Sequence, residues 1–359
     1  MKKFLAILLC LCTLLTVLVA CKDTTETPEG PETPAEATYK LGMGGVVDMS
    51  SSATGNAQVD ATVATVVTDA DGKIVMCRID VAQNKMVVTG GAVVADATFK
   101  TKMEKGSEYG MAGKVDANDD GVKLEWDAQA KAFEAYVVGK TVTDIKAMTT
   151  AANKLGYQMS TDEALLNAGC TIQITDFIAA VVKACEDDQA VSFTTAATFT
   201  LGVAAKTTAE ESVAATEAAN GTVKMYTDFA ASVVADGKIL ASLNDAIQPN
   251  ITINTAGEIV SAAVGKEGKA TKREQKDLYG MAGKVDANGD GVKLEWNVQS
   301  AAFSKFVVGK TAAEVAAMET AANMLGYQMT TDADLLAAGC TIQITAIKAV
   351  VAQSATNAR

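Results

Sequence analysis

Two loops carry oxygen-bearing side chains at the spacing of an EF-hand calcium loop. In the first loop, Asp116, Asn118, Asp120 and Asp127 occupy positions 1, 3, 5 and 12, around the turn glycine Gly121. The second loop repeats the pattern with Asp286, Asn288, Asp290, Gly291 and Asn297. Hard oxygen ligands around a glycine turn suit calcium. The alternative is an acidic turn, because neither loop has the bidentate Glu at position 12.

The chain has no histidine. This excludes Ser-His-Asp and Cys-His catalysis, imidazole metal sites and His-ligated haem. No nucleophile stands beside an activating base in the sequence, so a hydrolase is not supported. The sequence therefore favours a carrier or binding protein over a turnover enzyme and leaves enzymatic activity undecided.

Cysteine is the remaining reactive residue type. Cys77, Cys170, Cys185 and Cys340 lie beyond the N-terminal apolar segment, without the CxxC spacing of zinc or thioredoxin-like sites. Cys77 and Cys185 correspond to Ser242 and Ala355 in the second half of the chain. Their joint presence in one half suits a disulfide in an exported protein, and the alternative is a pair of buried thiols.

The N-terminus has the features of a lipoprotein signal. Two lysines precede an apolar run that ends in Leu-Val-Ala-Cys. A charged start, an apolar middle and small residues before the cut predict a signal peptide over 1–20. The cysteine after the cut resembles a bacterial lipobox, so we expect lipid on Cys21 and an extracytoplasmic protein anchored to the cell membrane. The alternative is a transmembrane anchor.

The segment that follows the lipobox, 21–37, is rich in Pro, Glu and Thr. It cannot bury enough apolar surface to fold, and we expect a disordered tether. Removal of Lys2 and Lys3 with the signal changes the net charge from −12 to −14. A strongly acidic chain is a poor partner for nucleic acid.

The rest of the chain is two copies of one unit. SEYGMAGKVDANDDGVKLEW matches DLYGMAGKVDANGDGVKLEW, and AGCTIQIT occurs unchanged at 168–175 and at 338–345. A repeat of this length predicts tandem domains rather than a solenoid. We place the domains at 38–186 and 196–353.

Each copy has strand patterns first and helix patterns afterwards. Apolar alternation on both sides of Asp71-Gly72 predicts a β-hairpin, and four of its residues should share an inward face. These are Val75, Cys77, Ile79 and Val81. A helix is predicted by apolar residues at helical spacing, with Gly139 at its end. The residues are Trp126, Ala130, Phe133 and Val137.

The C-terminal part of each copy predicts further helices. In the second copy, Thr311 and Glu314 form a capping box that opens a helix, which Gly326 should end. AGCTIQIT predicts a buried strand. Cys170, Ile172 and Ile174 should face the core, and Thr171, Gln173 and Thr175 should face the other way. Thr175 should also cap the last helix. Strands followed by helices predict an α+β fold with an antiparallel sheet.

In this arrangement the chain resembles the FMN-binding domain of exported flavoproteins, a family that includes surface lipoproteins with two such domains. In the family, an Asp-x-x-(Ser/Thr)-Gly-Ala-Thr motif carries FMN, and a transferase links the FMN phosphate to the last Thr. Gly169 and Thr171 fall on this motif, as do Gly339 and Thr341. The resemblance implies bound FMN, electron transfer outside the membrane, and a redox partner or flavin transferase.

The motif is only partly preserved. Ala168 and Ala338 stand at the Ser/Thr position, and Leu165 and Leu335 stand at the Asp position. Asp162 and Asp332 lie nearby, out of register with the motif.

Other residues could still serve a flavin. Tyr109 and Tyr279, with Trp126 and Trp296, are candidates for stacking on the flavin ring, and the alternative is core packing. Candidate cations for the phosphate are Lys100, Lys102, Lys105, Lys272 and Arg273.

Three functions follow as hypotheses. The first is a lipoprotein with tandem FMN-binding-like domains that carries electrons through flavin. The second is a surface binding or structural lipoprotein that keeps the fold and has lost the cofactor. The third is a calcium-stabilised adhesion or scaffold protein.

Overall fold

The computed structural model describes residues 35–93, 98–114, 121, 123–284, 286, 289, 291 and 293–359. The predicted signal peptide, Cys21 and most of the predicted tether lie outside these residues. Residues 36–359 form one compact unit. Helices and antiparallel strands both occur throughout this unit, so the predicted α+β class is confirmed.

The first copy has long strands followed by short helices. Its strands are β1 (Ala37–Asp48), β2 (Asn56–Thr68), β3 (Ile74–Thr89), β4 (Ala92–Val93), β5 (Thr150–Ala152) and β6 (Gln158–Ser160). Its helices are α1 (Lys102–Lys105), a 3₁₀ turn (Gly106–Tyr109), α2 (Trp126–Val137), α3 (Val142–Lys146), α4 (Glu163–Asn167) and α5 (Thr175–Cys185).

The second copy repeats this order. Its strands, with the connecting strand β7, are β7 (Val191–Thr195), β8 (Thr200–Thr208), β9 (Gly221–Val223), β10 (Tyr226–Ala235), β11 (Lys238–Ile247), β12 (Asn250–Ile253), β13 (Ile259–Ala263), β14 (Thr320–Ala322) and β15 (Gln328–Thr330). Its helices are α6 (Lys272–Gln275), a 3₁₀ turn (Lys276–Leu278), α7 (Trp296–Phe306), α8 (Ala312–Ala316), α9 (Ala333–Ala337) and α10 (Thr345–Thr356).

Each copy pairs its main strands into an antiparallel sheet. The first sheet has the strand order β4-β3-β2-β1-β7, and the second has the order β11-β10-β8. Strands β13-β12-β9 form a smaller sheet, while β5-β6 and β14-β15 form matched hairpins.

The two main sheets share one hydrophobic core. Apolar side chains of β1, β2 and β3, such as Leu41 and Val63, cluster with side chains of β8, β10 and β11, such as Leu201 and Phe229. The opposite face of each sheet packs on the helices of its own copy, around Phe133 in the first and Phe303 in the second. Burying a large apolar side chain contributes about 1.5–3 kcal/mol, so both the shared core and the helix-facing cores stabilise the unit.

Two glycines allow the terminal helices to approach the sheets. A Cβ at Gly42 would lie 2.0 Å from the carbonyl oxygen of Ala184 in α5. A Cβ at Gly202 would lie 1.9 Å from the carbonyl oxygen of Ser354 in α10. Any larger residue would therefore push helix and strand apart in either copy.

The predicted hairpin forms between β2 and β3, but one inward residue was predicted wrongly. Cys77, Ile79 and Val81 face the helices as expected. Val75 instead packs against the shared core. The reason is a β-bulge in β3. Val67 of β2 pairs with Met76 and Thr68 pairs with Ile74, so Val75 has no partner in β2. This extra residue reverses the alternation of faces in the part of β3 that precedes Met76.

The helix around Trp126 is confirmed, with its four predicted residues buried. The Thr311–Glu314 capping box also forms. That helix, however, ends at Ala316, and Gly326 lies with positive φ between the strands of the β14-β15 hairpin. The glycine marked a turn rather than a helix end.

The strand predicted for AGCTIQIT is wrong. Residues 168–174 form a turn and an irregular segment between α4 and α5. Cys170 and Ile174 are nonetheless fully buried as predicted, but Ile172 is only half-buried and Thr171, predicted to face away from the core, is buried. Thr175 is the first residue of α5 but does not cap it, because Ile174 occupies the cap position without a side-chain hydrogen bond. β-Branched residues here serve core packing rather than a sheet.

Candidate functional site

The Gly-x-Thr segment of each copy lies at the entry to the terminal helix, where its glycine is favoured by the backbone conformation. Gly169 has φ +91° and Gly339 has φ +87°, a conformation that favours glycine. A Cβ at Gly169 would lie 2.6 Å from Cδ1 of Leu124, and one at Gly339 would lie 2.7 Å from Cδ1 of Leu294. A leucine side chain therefore occupies the space beside each glycine.

The threonine of each segment is bonded to a glutamine on the preceding long helix. The Thr171 N–H donates to Oε1 of Gln129 at 2.9 Å, and the Thr171 hydroxyl donates to the same oxygen at 3.2 Å. Thr341 and Gln299 repeat both bonds at 2.8 and 3.1 Å. The threonines are only 8% and 9% exposed.

The glutamines are themselves fixed in place. Nε2 of Gln129 donates to the carbonyl oxygen of Leu124 at 3.0 Å and contacts Sδ of Met111 at 3.6 Å. Gln299 makes the same two contacts in the second copy. Because the amide orientation is set by its donor side, Oε1 faces the threonine. The segment is thus closed by hydrogen bonds within the protein.

The Asp position of the flavin motif has become part of the core. Leu165 and Leu335 are fully buried. The nearby carboxylates, Asp162 and Asp332, accept backbone N–H bonds at the starts of α4 and α9. They act as helix caps, which stabilise a helix start by about 1 kcal/mol.

A carboxylate ties the loop before each long helix to its start. The N–H groups of Met111 and Ala112 donate to the carboxylate of Glu125 at 2.8 and 3.3 Å. Glu295 holds Met281 and Ala282 in the same way, at 2.8 and 3.1 Å. These bonds place the neighbouring tyrosine next to the helix.

A lysine lies against the tyrosine and the tryptophan in each copy. Nζ of Lys102 is 5.1 Å from the ring centroid of Tyr109 and 5.3 Å from that of Trp126. Lys114 approaches the Tyr109 ring to 4.7 Å. The second copy reproduces the arrangement. Nζ of Lys272 is 5.2 Å from the ring centroid of Tyr279 and 5.0 Å from that of Trp296. Nζ of Lys284 is 4.8 Å from the Tyr279 centroid. We call these residues the lysine–aromatic cluster of each copy.

The tryptophans of the two clusters are only 3% exposed. Core packing, the alternative to flavin stacking, therefore describes Trp126 and Trp296. The tyrosines are half-buried, and Tyr279 donates its hydroxyl to Gln248 at 2.9 Å.

Burial and nearby carboxylates set the charge of the clusters. Burial lowers the pKa of Lys102 to about 8, while Asp60 opposes the shift. Burial lowers the pKa of Lys272 as well, with Asp228 and Asp245 opposing it. Burial also raises the pKa of Asp60. Burial therefore outweighs the acidic neighbours of each lysine, which offset only part of its effect on the pKa.

Buried aspartates hold the helices that carry these lysines. Asp80 accepts from the N–H of Met103 at 3.1 Å, and Asp245 accepts from the N–H of Arg273 at 3.0 Å. Both carboxyls are nearly inaccessible, and burial raises the pKa of each to about 6.

The other predicted cations are distributed differently. Lys105 lies 6.0 Å from the Tyr109 ring, at the margin of the cluster. Lys100 forms an exposed ion pair with Glu108 at 2.7 Å. Arg273 points away from the cluster and pairs with Asp187 at 3.0 Å, with both side chains buried.

The acidic loops are described only in part. Asp116, Asn118, Asp120, Asn288 and Asp290 lie outside the described residues. Asp286 accepts the N–H groups of Gly289 and Gly291, each at 2.8 Å, as an acidic turn requires. Asp127 pairs with Lys131 at 2.7 Å. Within the described ranges no three acidic or cysteine side chains form a metal-binding group, and calcium in the full loops stays a prediction.

The four described cysteines are thiols. Cys77 is buried and Cys185 is half-buried, and both pack in the helix-facing core of the first copy. Cys77 and Cys185 are thus free thiols in this structure, and the disulfide between them stays a prediction. Burial raises the pKa of Cys77 well above its usual value and that of Cys185 to about 11. Neither thiol is activated as a nucleophile.

Gln129, Gln299, Glu125 and Glu295 were not predicted as site residues. The sequence does contain a signal for them, because the same residue type occurs at the same place in both copies. A glutamine on the apolar face of a predicted helix requires a buried partner, but the sequence does not indicate which one.

Comparison with protein-family models, curated proteins and solved structures finds no match to the chain. Among the described helices, none is both long and apolar enough to cross a membrane.

Proposed function

We propose that the protein is an extracytoplasmic lipoprotein, anchored through Cys21, whose two FMN-binding-like domains serve as a surface binding or structural module. The lipobox-like N-terminus and the Pro-rich tether support the anchor. The order of hairpin, long helix and Gly-x-Thr segment supports the domain type. Fold resemblance alone does not establish chemistry, so the activity is argued from the site.

The observation that carries the proposal is the bonding of the two threonines. A phosphoester at Thr171 or Thr341 would need the hydroxyl to leave its glutamine and reach a transferase. It would also remove one of the two hydrogen bonds that the buried glutamine oxygen accepts, at a cost of about 0.5–1.5 kcal/mol. Leu124 and Leu294 occupy the space beside the glycines. The residues present therefore do not fit covalently attached flavin.

One observation favours a second candidate function, which is electron transfer through non-covalently bound FMN. The lysine–aromatic clusters place positive charge beside tyrosine rings in both copies. Such residues suit a planar anion. We rank this function second because burial lowers the pKa of Lys102 and of Lys272, which weakens both lysines as partners for a phosphate.

Purified mature protein distinguishes the two functions. We expect a colourless preparation with the unmodified mass, and no quenching of FMN fluorescence on titration. Visible flavin absorption together with an added FMN mass would contradict the proposal, provided that Thr171→Ala with Thr341→Ala abolishes the addition. The matched control is Thr171→Ser with Thr341→Ser, which keeps both hydroxyls. Flavin colour without added mass would establish the second function.

The anchor has a separate test. We expect cells fed a clickable fatty acid to label the full-length protein, and Cys21→Ala to abolish the label. Cys77→Ala is the matched control and should leave labelling unchanged. Equal labelling of the Cys21→Ala variant would contradict anchoring at this residue.

A further inference from the structure

We infer that the two repeats meet through one self-complementary surface, which each repeat presents to the other. The partner that this surface fits is a second domain of the same kind. In an isologous contact, residue i of one unit meets residue j of the other, and j of the first meets i of the second. This reciprocity is visible here because equivalent helix residues stand 170 positions apart.

The polar contacts of the terminal helices are reciprocal. Lys183 in α5 pairs with Glu274 in α6, with 2.7 Å between Nζ and Oε1. Gln353 in α10 donates to Glu104 in α1, with 2.6 Å between Nε2 and Oε1. Positions 183 and 353 are equivalent, and so are positions 104 and 274. One contact therefore occurs twice, in opposite directions.

The strand contacts are reciprocal too. Strand β3 of the first repeat contacts β8 of the second, and β11 of the second contacts β1 of the first. β1 and β8 are equivalent strands, as are β3 and β11. The shared core accordingly receives matched residues from both repeats, including Leu41 with Leu201 and Val67 with Val233.

Where the terminal helices end, the two halves have diverged. Asp187 accepts the N–H of Met43 at 3.1 Å, and its equivalent Asn357 donates to the carbonyl oxygen of Val203 at 3.0 Å. Asp187 additionally forms the buried ion pair with Arg273. The residue equivalent to Arg273 is Met103. A polar pair in one half thus corresponds to Asn357 and Met103 in the other.

A double substitution in the full chain tests whether these positions are equivalent. Met103→Arg alone should lower the melting temperature by several degrees, because a half-buried charge lacks a partner. Adding Asn357→Asp should restore at least half of the loss. Asn220→Asp adds the same charge at an exposed site, and we expect no restoration from it. Equal effects of Asn357→Asp and Asn220→Asp would overturn the inference.

A milder variant decides the question if Met103→Arg does not fold. Gln353→Lys copies the Lys183–Glu274 ion pair into the other half. We expect the melting temperature to rise by about 1 °C at low salt, as for an exposed ion pair. The rise should vanish in the Glu104→Gln background, where the partner charge is absent. The same rise in both backgrounds would contradict a reciprocal contact. Neither test depends on flavin or on the anchor.

Discussion

The two repeats agree closely at the Gly-x-Thr segment and differ where they meet each other. At the segment, Thr171 and Thr341 bond to their glutamines with lengths that match within 0.1 Å. At the contact between repeats, buried Glu134 of the first corresponds to Ser304 of the second, and Arg273 of the second corresponds to Met103 of the first.

This difference separates two kinds of constraint. The segment is closed by hydrogen bonds within one repeat, so a change in one partner leaves a buried polar group unsatisfied in either copy. The contact between repeats joins two surfaces that are now covalently linked, and each surface can adapt to its own partner. Four substitutions or sets of substitutions test this comparison.

The largest effect is expected at Glu134. Its carboxylate pairs with Arg359 of the second repeat at 2.9 Å and accepts the N–H of Ile79 at 2.9 Å. Glu134→Ala should lower the free energy of unfolding by about 3–5 kcal/mol, because Arg78 also loses its buried partner. Ser304→Ala removes one hydrogen bond and should cost about 1 kcal/mol. Urea denaturation measures the loss in both variants. Equal losses would contradict the predicted difference between the two repeats.

The pH dependence that arises from the buried aspartates Asp80 and Asp245 should be shared by the repeats. Asp80 and Asp245 both have a folded-state pKa of about 6, above the unfolded value of 3.8. Their stabilisation is therefore complete below pH 3.8 and lost as the pH rises through 6. The loss corresponds to about 2 kcal/mol for each group between pH 4 and pH 7. Asp80→Asn and Asp245→Asn should each remove one such contribution to the pH dependence of the free energy of unfolding. Urea denaturation at several pH values measures it.

The glutamines should respond alike. Gln129→Leu and Gln299→Leu each remove the side-chain oxygen that accepts the buried N–H and hydroxyl of the threonine. We expect each variant to lose about 2–3 kcal/mol of unfolding free energy. Adding Thr171→Val to Gln129→Leu should recover part of that loss, since it removes the hydroxyl. Losses that differ by more than 1 kcal/mol between repeats would show that the segments are not equivalent.

The smallest effect concerns Thr65 in the shared core. Its hydroxyl is buried and has no hydrogen-bond partner among the described residues. The equivalent residue in the second repeat is Ala231, also fully buried. Thr65→Val should raise the free energy of unfolding by about 1 kcal/mol. Ala231→Thr should lower the free energy of unfolding. Thermal melts of the two variants check both directions, and a change of the same sign in both would contradict the prediction.

The sequence predicted local structure where periodicity was long. The helix around Trp126 and the hairpin at Gly72 followed from apolar spacing. AGCTIQIT was too short for its β-branched residues to distinguish a strand from an irregular buried segment.

The contacts of the candidate site were harder to predict. Gln129 bonds to a threonine 42 residues away, and no pattern in the sequence identifies such a partner. Arg273 was assigned to a ligand because a charge pattern does not reveal a buried partner such as Asp187.

The shared core has a consequence for the synthesis of the protein. The apolar face of β1, β2 and β3 can be covered only after β8, β10 and β11 have been made. At usual rates of translation, making the second repeat takes roughly 10 to 30 s. During that time the first repeat exposes Leu41, Val63 and their neighbours. A chain that leaves the cytoplasm would need a holding chaperone or transport in the unfolded state until both repeats can fold together.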